Sequence, residues 1–107
     1  MMIFDELINS IEKTVSELLQ YDRANYSADA QALANTLVAA IPVVINCYND
    51  PGLSDIREDA LYWPGQLERI IGALKGGDWF AVADVLYNET RPNLIELRDV
   101  MTKRGLL

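Results

Sequence analysis

The stretch AQALANTLVAAIPVVINCYN, residues 30–49, contains no charged residue, and the interpretation of the whole chain starts from it. A helix on the surface of a globular protein carries charged or polar residues along its outer face. Because this stretch is largely apolar, we predict that it forms the buried central helix of a small bundle. The remaining segments are then expected to be amphipathic helices that pack around it.

Apolar residues in those segments recur every three or four positions, which is the spacing of a helix with one buried face. The spacing predicts helices over residues 5–21, 28–48, 55–75 and 79–103. The short connections favour an all-α, single-domain antiparallel four-helix bundle that occupies the whole chain. Three prolines fall inside these helices, and proline-kinked or proline-divided helices are therefore expected. They are Pro42, Pro64 and Pro92.

Residues that favour helix ends lie between the predicted helices. Ser27, Ser54 and Asp78 are expected to be N-caps because their side chains can accept a hydrogen bond from the first helical turn. Gly76 is expected to end the third helix in the left-handed conformation. Residues 22–26 are expected to form a polar connection.

The apolar residues that maintain the helical spacing are expected to form the core of the bundle. They are Leu7, Ile8, Ile11, Val15, Leu18, Leu33, Leu37, Ile41, Val44, Ile56, Trp63, Leu67, Ile70, Leu74, Ala83, Leu86 and Leu97.

The chain is acidic, with 16 Asp and Glu against 9 Lys and Arg and a formal net charge of −7. Such a charge repels phosphate groups, so we expect no binding to nucleic acid or to anionic membranes. The sequence contains no histidine, which is the commonest general base and transition-metal ligand. Its one cysteine, Cys47, lies in the apolar stretch and is expected to be a small buried hydrophobe. We therefore predict no catalytic residues, no metal site and no cofactor.

The first ten residues, MMIFDELINS, carry acidic groups where a signal peptide has a basic region. A cytoplasmic location is expected on that ground. The uncharged stretch is just long enough to span a bilayer. However, polar residues interrupt it and no basic cluster flanks it, so membrane insertion is not expected.

Four aromatic residues are candidates for contact with a protein partner: Tyr62, Trp79, Phe80 and Tyr87. Trp79 and Phe80 are adjacent, and side chains of adjacent residues cannot both point inward from a regular helix. One of the two is expected to cap the end of the bundle or to be exposed. Aromatic side chains are enriched where proteins bind one another.

The segment from Leu67 to Arg98 resembles a pattern in small uncharacterised helical proteins of Gram-positive bacteria. In that pattern a helix ends in a short K-x-x-D turn, here Lys75 to Asp78, and the next helix opens with an aromatic residue. An ADVL-like run follows, here at residues 83–86, and then an acidic, proline-bearing segment at residues 88–92. The resemblance covers the C-terminal third and implies an association with motility or secretion. It carries no catalytic residues.

Three hypotheses about function follow. The first is a non-catalytic protein-interaction bundle, an adaptor or export/motility chaperone that binds a helix of its partner in a groove. The alternative is a small-molecule- or metal-binding bundle, with or without enzymatic activity, in which Asn35 or Asn46 lines an internal pocket. The third is a symmetric homodimer formed through surface of the second helix that the closed bundle leaves exposed.

Overall fold

The computed structural model describes residues 3–20 and 23–107, and none of these residues forms a strand. Four helical segments make up the described chain, which confirms the prediction of an all-α bundle. The elements are α1 (Ile3–Leu19), α2 (Arg23–Cys47), a 3-10 helix (Pro51–Leu61) continuous with α3 (Tyr62–Lys75), and α4 (Trp79–Val85), which continues through a π-helical turn (Leu86–Thr90) into α5 (Arg91–Lys103). Tyr21, the predicted end of the first helix, lies outside the described residues.

The start of α2 differs from the prediction. Helix α2 begins at Arg23, so Ser27 lies inside it and is not its N-cap, and residues 23–26 are not a polar connection; residue 22 lies outside the described residues. Tyr26 provides the physical reason, because it is fully buried against Trp79, with ring centroids 5.7 Å apart in an edge-to-face arrangement. Its hydroxyl donates a hydrogen bond to the Trp79 carbonyl oxygen at 2.7 Å. This tertiary contact stabilises a helical turn that the local sequence does not favour.

Helix α2 is buried on one face and exposed on the other, so the prediction of a buried central helix holds for one face only. Helices α1 and α3 pack against it. Leu33, Leu37 and Val44 face the core, whereas Val38 and Val43 are exposed. The physical reason is that the two packed helices cover only one side of α2. Residues Ala24–Cys47 are long and apolar enough to cross a membrane, a property that the core helix of a soluble bundle shares, and 39% of their most apolar window is buried.

The third helical segment begins earlier than predicted. Asp50 caps it by accepting a hydrogen bond from the Gly52 N–H at 2.8 Å, and the predicted cap, Ser54, lies inside the 3-10 helix. Leu53 is fully buried within that 3-10 helix. The backbone angles of Leu53, φ −117° and ψ 17°, are not helical, so the 3-10 helix is kinked at this residue. The indole N–H of Trp63 then donates to the Tyr48 hydroxyl at 3.0 Å, which fixes the 3-10/α3 junction to the end of α2.

In the turn between α3 and α4 the predicted N-cap is confirmed, but the left-handed glycine is one residue later than predicted. Asp78 is the N-cap of α4, as predicted, and accepts from the Ala81 N–H at 3.1 Å. Gly76 has an ordinary φ of −82°, while Gly77 adopts the left-handed φ of +67°. The Asp78 N–H bonds to the Ala73 carbonyl oxygen at 2.9 Å, so the left-handed residue of this helix-ending motif is the second glycine.

Two of the three interior prolines lie where the type of helix changes. Pro64 is in the first turn of α3, directly after the 3-10 helix, and Pro92 is in the first turn of α5, directly after the π-helical turn. Because α3 and α5 are each continuous with the helix before them, the N–H that proline lacks is missing from the helical hydrogen-bond pattern close to the point where the helix type changes. Pro42 lies within α2, which continues past it to Cys47.

The core closely matches the predicted set. Ile56, Leu67 and Leu74 are partly buried against it, and the other predicted residues are buried. The core also contains polar and aromatic residues outside the predicted set: Phe4, Thr14, Tyr26, Tyr48, Gln66 and Thr90.

Candidate functional site

An open groove with a volume of about 600 Å³ lies between α1 and the segment that runs from α4 into the π-helical turn. Three large apolar side chains project around it: Leu19, Phe80 and Tyr87, which are 73%, 72% and 43% exposed. The buried side chains of Val15 and Ala83 line the groove between them. We call the surface formed by these five residues the α1–α4 groove. Neighbouring exposed apolar groups of this size are typical of surfaces that bind another molecule.

Helical spacing brings these side chains together. Val15 and Leu19 are four residues apart on α1, while Phe80, Ala83 and Tyr87 follow one another at intervals of three and four. Residues with such intervals lie on the same face of a helix. The two apolar rows therefore face one another across the groove, and its walls are set by the rigid helices rather than by loops.

Trp79 and Phe80 point in different directions, because adjacent residues of a helix lie about 100° apart. Trp79 is half-buried against Tyr26, and Phe80 is the exposed member of the pair. The Asp78 cap fixes the first turn of α4 and with it the direction of both side chains. Burial raises the pKa of Tyr26 to about 12, since the phenolate would lose its contact with water.

The π-helical turn carries Tyr87 into the groove. The Arg91 guanidinium lies 4.9 Å from the centroid of the Tyr87 ring and also pairs with Glu12 of α1, with 2.9 Å between Nε and Oε1. Inside the bundle, the Thr90 hydroxyl donates to the Gln66 side-chain carbonyl oxygen at 3.2 Å. These contacts hold the turn from both sides. A π-helical turn inserted in an α-helix is frequently found at functional sites.

The rim of the groove is acidic. Glu12 and Asp84 contribute carboxylates, and Asn88 donates a hydrogen bond to one oxygen of Asp84 at 2.6 Å. Arg91 offsets the charge of Glu12. An apolar floor with a partly uncompensated acidic rim matches a ligand that has an apolar stripe flanked by basic groups.

Tyr62, the fourth predicted contact residue, lies on a different surface. It is exposed beside a cleft of about 280 Å³ whose lining includes Tyr48, Trp63, Asp59 and Glu96. Burial raises the pKa of the Tyr48 hydroxyl at this cleft. The structure therefore brings together two of the four predicted residues, Phe80 and Tyr87, and separates Tyr62 and Trp79 from them.

Leu19 is the groove residue that sequence reasoning missed. It was in neither the predicted core nor the predicted contact residues, and its side chain is exposed. The available signal was its position at the end of the helix, beyond the last core residue, Leu18.

The structure does not support an internal pocket lined by asparagine. Asn35 and Asn46 are both exposed on α2, because they lie on the face that α1 and α3 leave uncovered. Among residues 3–20 and 23–107, no three acidic or cysteine side chains are grouped so that they could hold a metal ion.

The chain matches none of the protein-family models, curated proteins or solved structures with which it was compared. The resemblance of its C-terminal third to small helical proteins of Gram-positive bacteria therefore stays a prediction.

Proposed function

We propose that this protein is a non-catalytic, cytoplasmic interaction bundle, an adaptor or a chaperone-like protein for an export or motility component. In this proposal the α1–α4 groove binds one amphipathic helix of the partner protein. The observation that carries it is the clustering of Leu19, Phe80 and Tyr87 around one open groove. Binding of an apolar helix face in such a groove is a common mode of recognition.

The dimensions of the groove favour a helix as the ligand. Phe80 and Tyr87 are seven residues apart, which corresponds to about 10 Å along a helix. A partner helix with apolar residues at positions i, i+3 or i+4, and i+7 spans the same distance. One such residue can then insert between Leu19 and Phe80, and a second can pack on the Tyr87 ring.

The acidic rim of the groove indicates which charged groups should flank the apolar residues of the partner helix. Glu12 and Asp84 border the groove, and the whole chain carries a net charge of −7. The partner helix should therefore carry Lys or Arg beside its apolar stripe. Complementary charges of this kind accelerate association, and added salt weakens their effect.

The test is affinity capture from a lysate of the source organism with the wild-type chain and two variants. Phe80→Ala removes the exposed ring from the groove, and Leu61→Ala is the matched control because Leu61 is 79% exposed on the distant 3-10 helix. We expect a captured protein that Phe80→Ala loses and Leu61→Ala retains.

The captured partner is then measured as a purified segment by titration calorimetry. Loss of a central aromatic contact is expected to weaken its binding at least about 10-fold, as for other interface hot spots. Equal affinity of Phe80→Ala and wild type would show that the groove is not the binding site.

A further inference from the structure

The cleft beside Tyr62 lies apart from the α1–α4 groove and has a different chemistry. Its volume is about 280 Å³, and none of its lining residues lines the groove. We call it the Tyr48 cleft and define it by the six lining residues that give it its character: Tyr48, Asp59, Tyr62, Trp63, Glu96 and Leu97.

Three helical elements hold these side chains in place. Tyr48 follows α2 directly, and its hydroxyl accepts the Trp63 indole N–H at 3.0 Å. Asp59 precedes Tyr62 and Trp63 by three and four residues, an interval that places all three on one side of the helical segment. Glu96 and the residue after it reach the cleft from α5. The cleft is therefore formed by packed helices and is present without a ligand.

The floor of the cleft is apolar and largely aromatic. Tyr48, Trp63 and Leu97 are buried there. The Tyr62 ring stands at the rim and is 69% exposed. The face of an aromatic ring carries partial negative charge and attracts a cation placed over it. These walls therefore suit a ligand that combines a positive charge with an apolar body.

The charged residues of the lining are both acidic. They are Asp59 and Glu96, and neither takes part in an ion pair formed within residues 3–20 and 23–107. Arg57, close to Asp59 in the sequence, donates instead to the Tyr48 backbone carbonyl oxygen at 3.0 Å and does not line the cleft. The protein thus leaves two negative charges beside an aromatic floor without a cation of its own.

The Tyr48 hydroxyl adds a buried polar group with unused hydrogen-bonding capacity. A phenolic hydroxyl has one donor and two acceptor positions, and Trp63 occupies one acceptor position. In the described part of the chain no group accepts the hydroxyl proton, although the side chain is only 4% exposed. Burial raises the pKa of Tyr48, and the charges of Asp59 and Glu96 raise it further. Both carboxylates therefore act on the same point of the cleft.

From these observations we propose that the Tyr48 cleft binds an organic cation, an ammonium or guanidinium group on a short apolar stem. The cation pairs with Asp59 and Glu96, and the stem packs on the aromatic floor. The volume of the cleft lies just below the roughly 300–1,000 Å³ of sites for drug-sized ligands, which favours a short stem. Two carboxylates are too few for a calcium ion, which takes about 6–8 oxygen ligands.

A free amine and a lysine or arginine side chain of another protein both supply this chemistry. The proposal is independent of the function proposed for the α1–α4 groove, because the two sites share no residue.

The experiment is an NMR titration of the full chain with n-butylammonium chloride at constant ionic strength. It follows the indole N–H signals of the two tryptophans. The Trp63 signal should shift and saturate, while that of Trp79, which lies outside the cleft, should stay in place. n-Butanol has the same stem without the charge, and magnesium chloride has a charge without the stem. Both should shift the Trp63 signal much less.

Variants assign the binding to the cleft. Asp59→Asn and Glu96→Gln each remove one charge at nearly constant shape, and each should weaken binding by about 2- to 5-fold, as expected for exposed ion pairs. The double variant should weaken it by about 10-fold, since independent contributions combine. Tyr62→Leu removes the ring and should cost about 2- to 5-fold. Glu68→Gln makes the same change of charge at an exposed position of α3 outside the cleft and should bind like wild type. Circular dichroism checks that each variant is folded.

An unchanged Trp63 signal, an equal response to butanol or magnesium, or full affinity of the double variant would overturn the proposal. N-acetyl-lysine amide distinguishes the two sources of the cation. Binding as tight as that of butylammonium would identify a protein side chain as a ligand, and binding of butylammonium alone would identify a free amine. Phe80→Ala, the variant that tests the groove, should leave this titration unchanged, so failure of either proposal is visible separately.

Discussion

The buried hydrogen bond between Thr90 and Gln66 allows a quantitative test of how the π-helical turn is held. Thr90→Val keeps the shape of the side chain and removes the donor, so the Gln66 oxygen stays buried without its partner. The adjoining space, lined by Leu37, Ile41 and Ile70, has no room for a water molecule that could replace the hydroxyl. The full cost of the unpartnered oxygen should therefore appear in the free energy of unfolding.

That cost is about 1–3 kcal/mol for a buried neutral acceptor. A domain of this length loses about 4 °C in melting temperature per kcal/mol, so Thr90→Val should melt about 4–13 °C below wild type. Gln66→Met removes the acceptor instead and should cost less, because the Thr90 hydroxyl can turn to a carbonyl oxygen of the preceding helical turn. The double variant has neither polar group and should regain most of the stability that Thr90→Val loses.

The assay is urea denaturation of the four chains, followed by circular dichroism. It gives the coupling energy between the two residues as the deviation of the double variant from additivity. A coupling energy below about 0.5 kcal/mol would refute the reasoning, since two independent sites would give that result. A Thr90→Val variant as stable as wild type would contradict it equally.

Further predictions concern the two aromatic residues at the start of α4 and Tyr26 of α2. Trp79→Ala should lower the free energy of unfolding by about 2–3 kcal/mol because it removes the packing against Tyr26. Phe80→Ala should lower it by no more than about 0.5 kcal/mol because the ring is exposed, and equal losses on urea denaturation would contradict this assignment. Burial raises the Tyr26 pKa to about 12, whereas an unfolded tyrosine ionises near about 10. The stabilising contribution is therefore complete below pH ~10 and is lost as the pH rises to ~12, by about 2 kcal/mol after allowance for solvent screening. Tyr26→Phe should lack this decline, and identical alkaline profiles of the two chains would be evidence against it.

Most of the fold could be predicted from the sequence because its cause is local. Apolar residues recur at helical intervals in all four segments, and Asp78 combines a good capping side chain with the start of such a run. The predictions were wrong where a contact between residues far apart in the sequence, or the burial of a side chain, determines the local structure. Tyr26 extends α2 through its contact with Trp79, which is 53 residues away in the chain. Leu53 is fully buried at the kink of the 3-10 helix, and no capping or turn rule applied to residues 50–54 predicts that burial.

The candidate site was only partly predictable for the same reason. Phe80 and Tyr87 belong to one helical segment, so their spacing of seven residues already placed them on one face. Leu19 joins them from another helix, and its role depends on how α1 packs beside α4. Tyr62 and Phe80 were both predicted to contact a partner because they are aromatic. Tyr62, however, lies beside the separate cleft that Tyr48 and Trp63 line. Composition identifies candidate residues, but only packing between helices decides which of them share a surface.

The exposure of residues along α2 shows what the apolar composition of a stretch can predict. One side of the stretch at residues 30–49 supplies core residues such as Leu37 and Val44. The other side is exposed and still carries Val38 and Val43. A stretch that served the core alone would need apolar residues only on its inner face, and the residues at 38 and 43 would be expected to be polar. The absence of charge in a helix therefore does not by itself predict that both of its sides are buried.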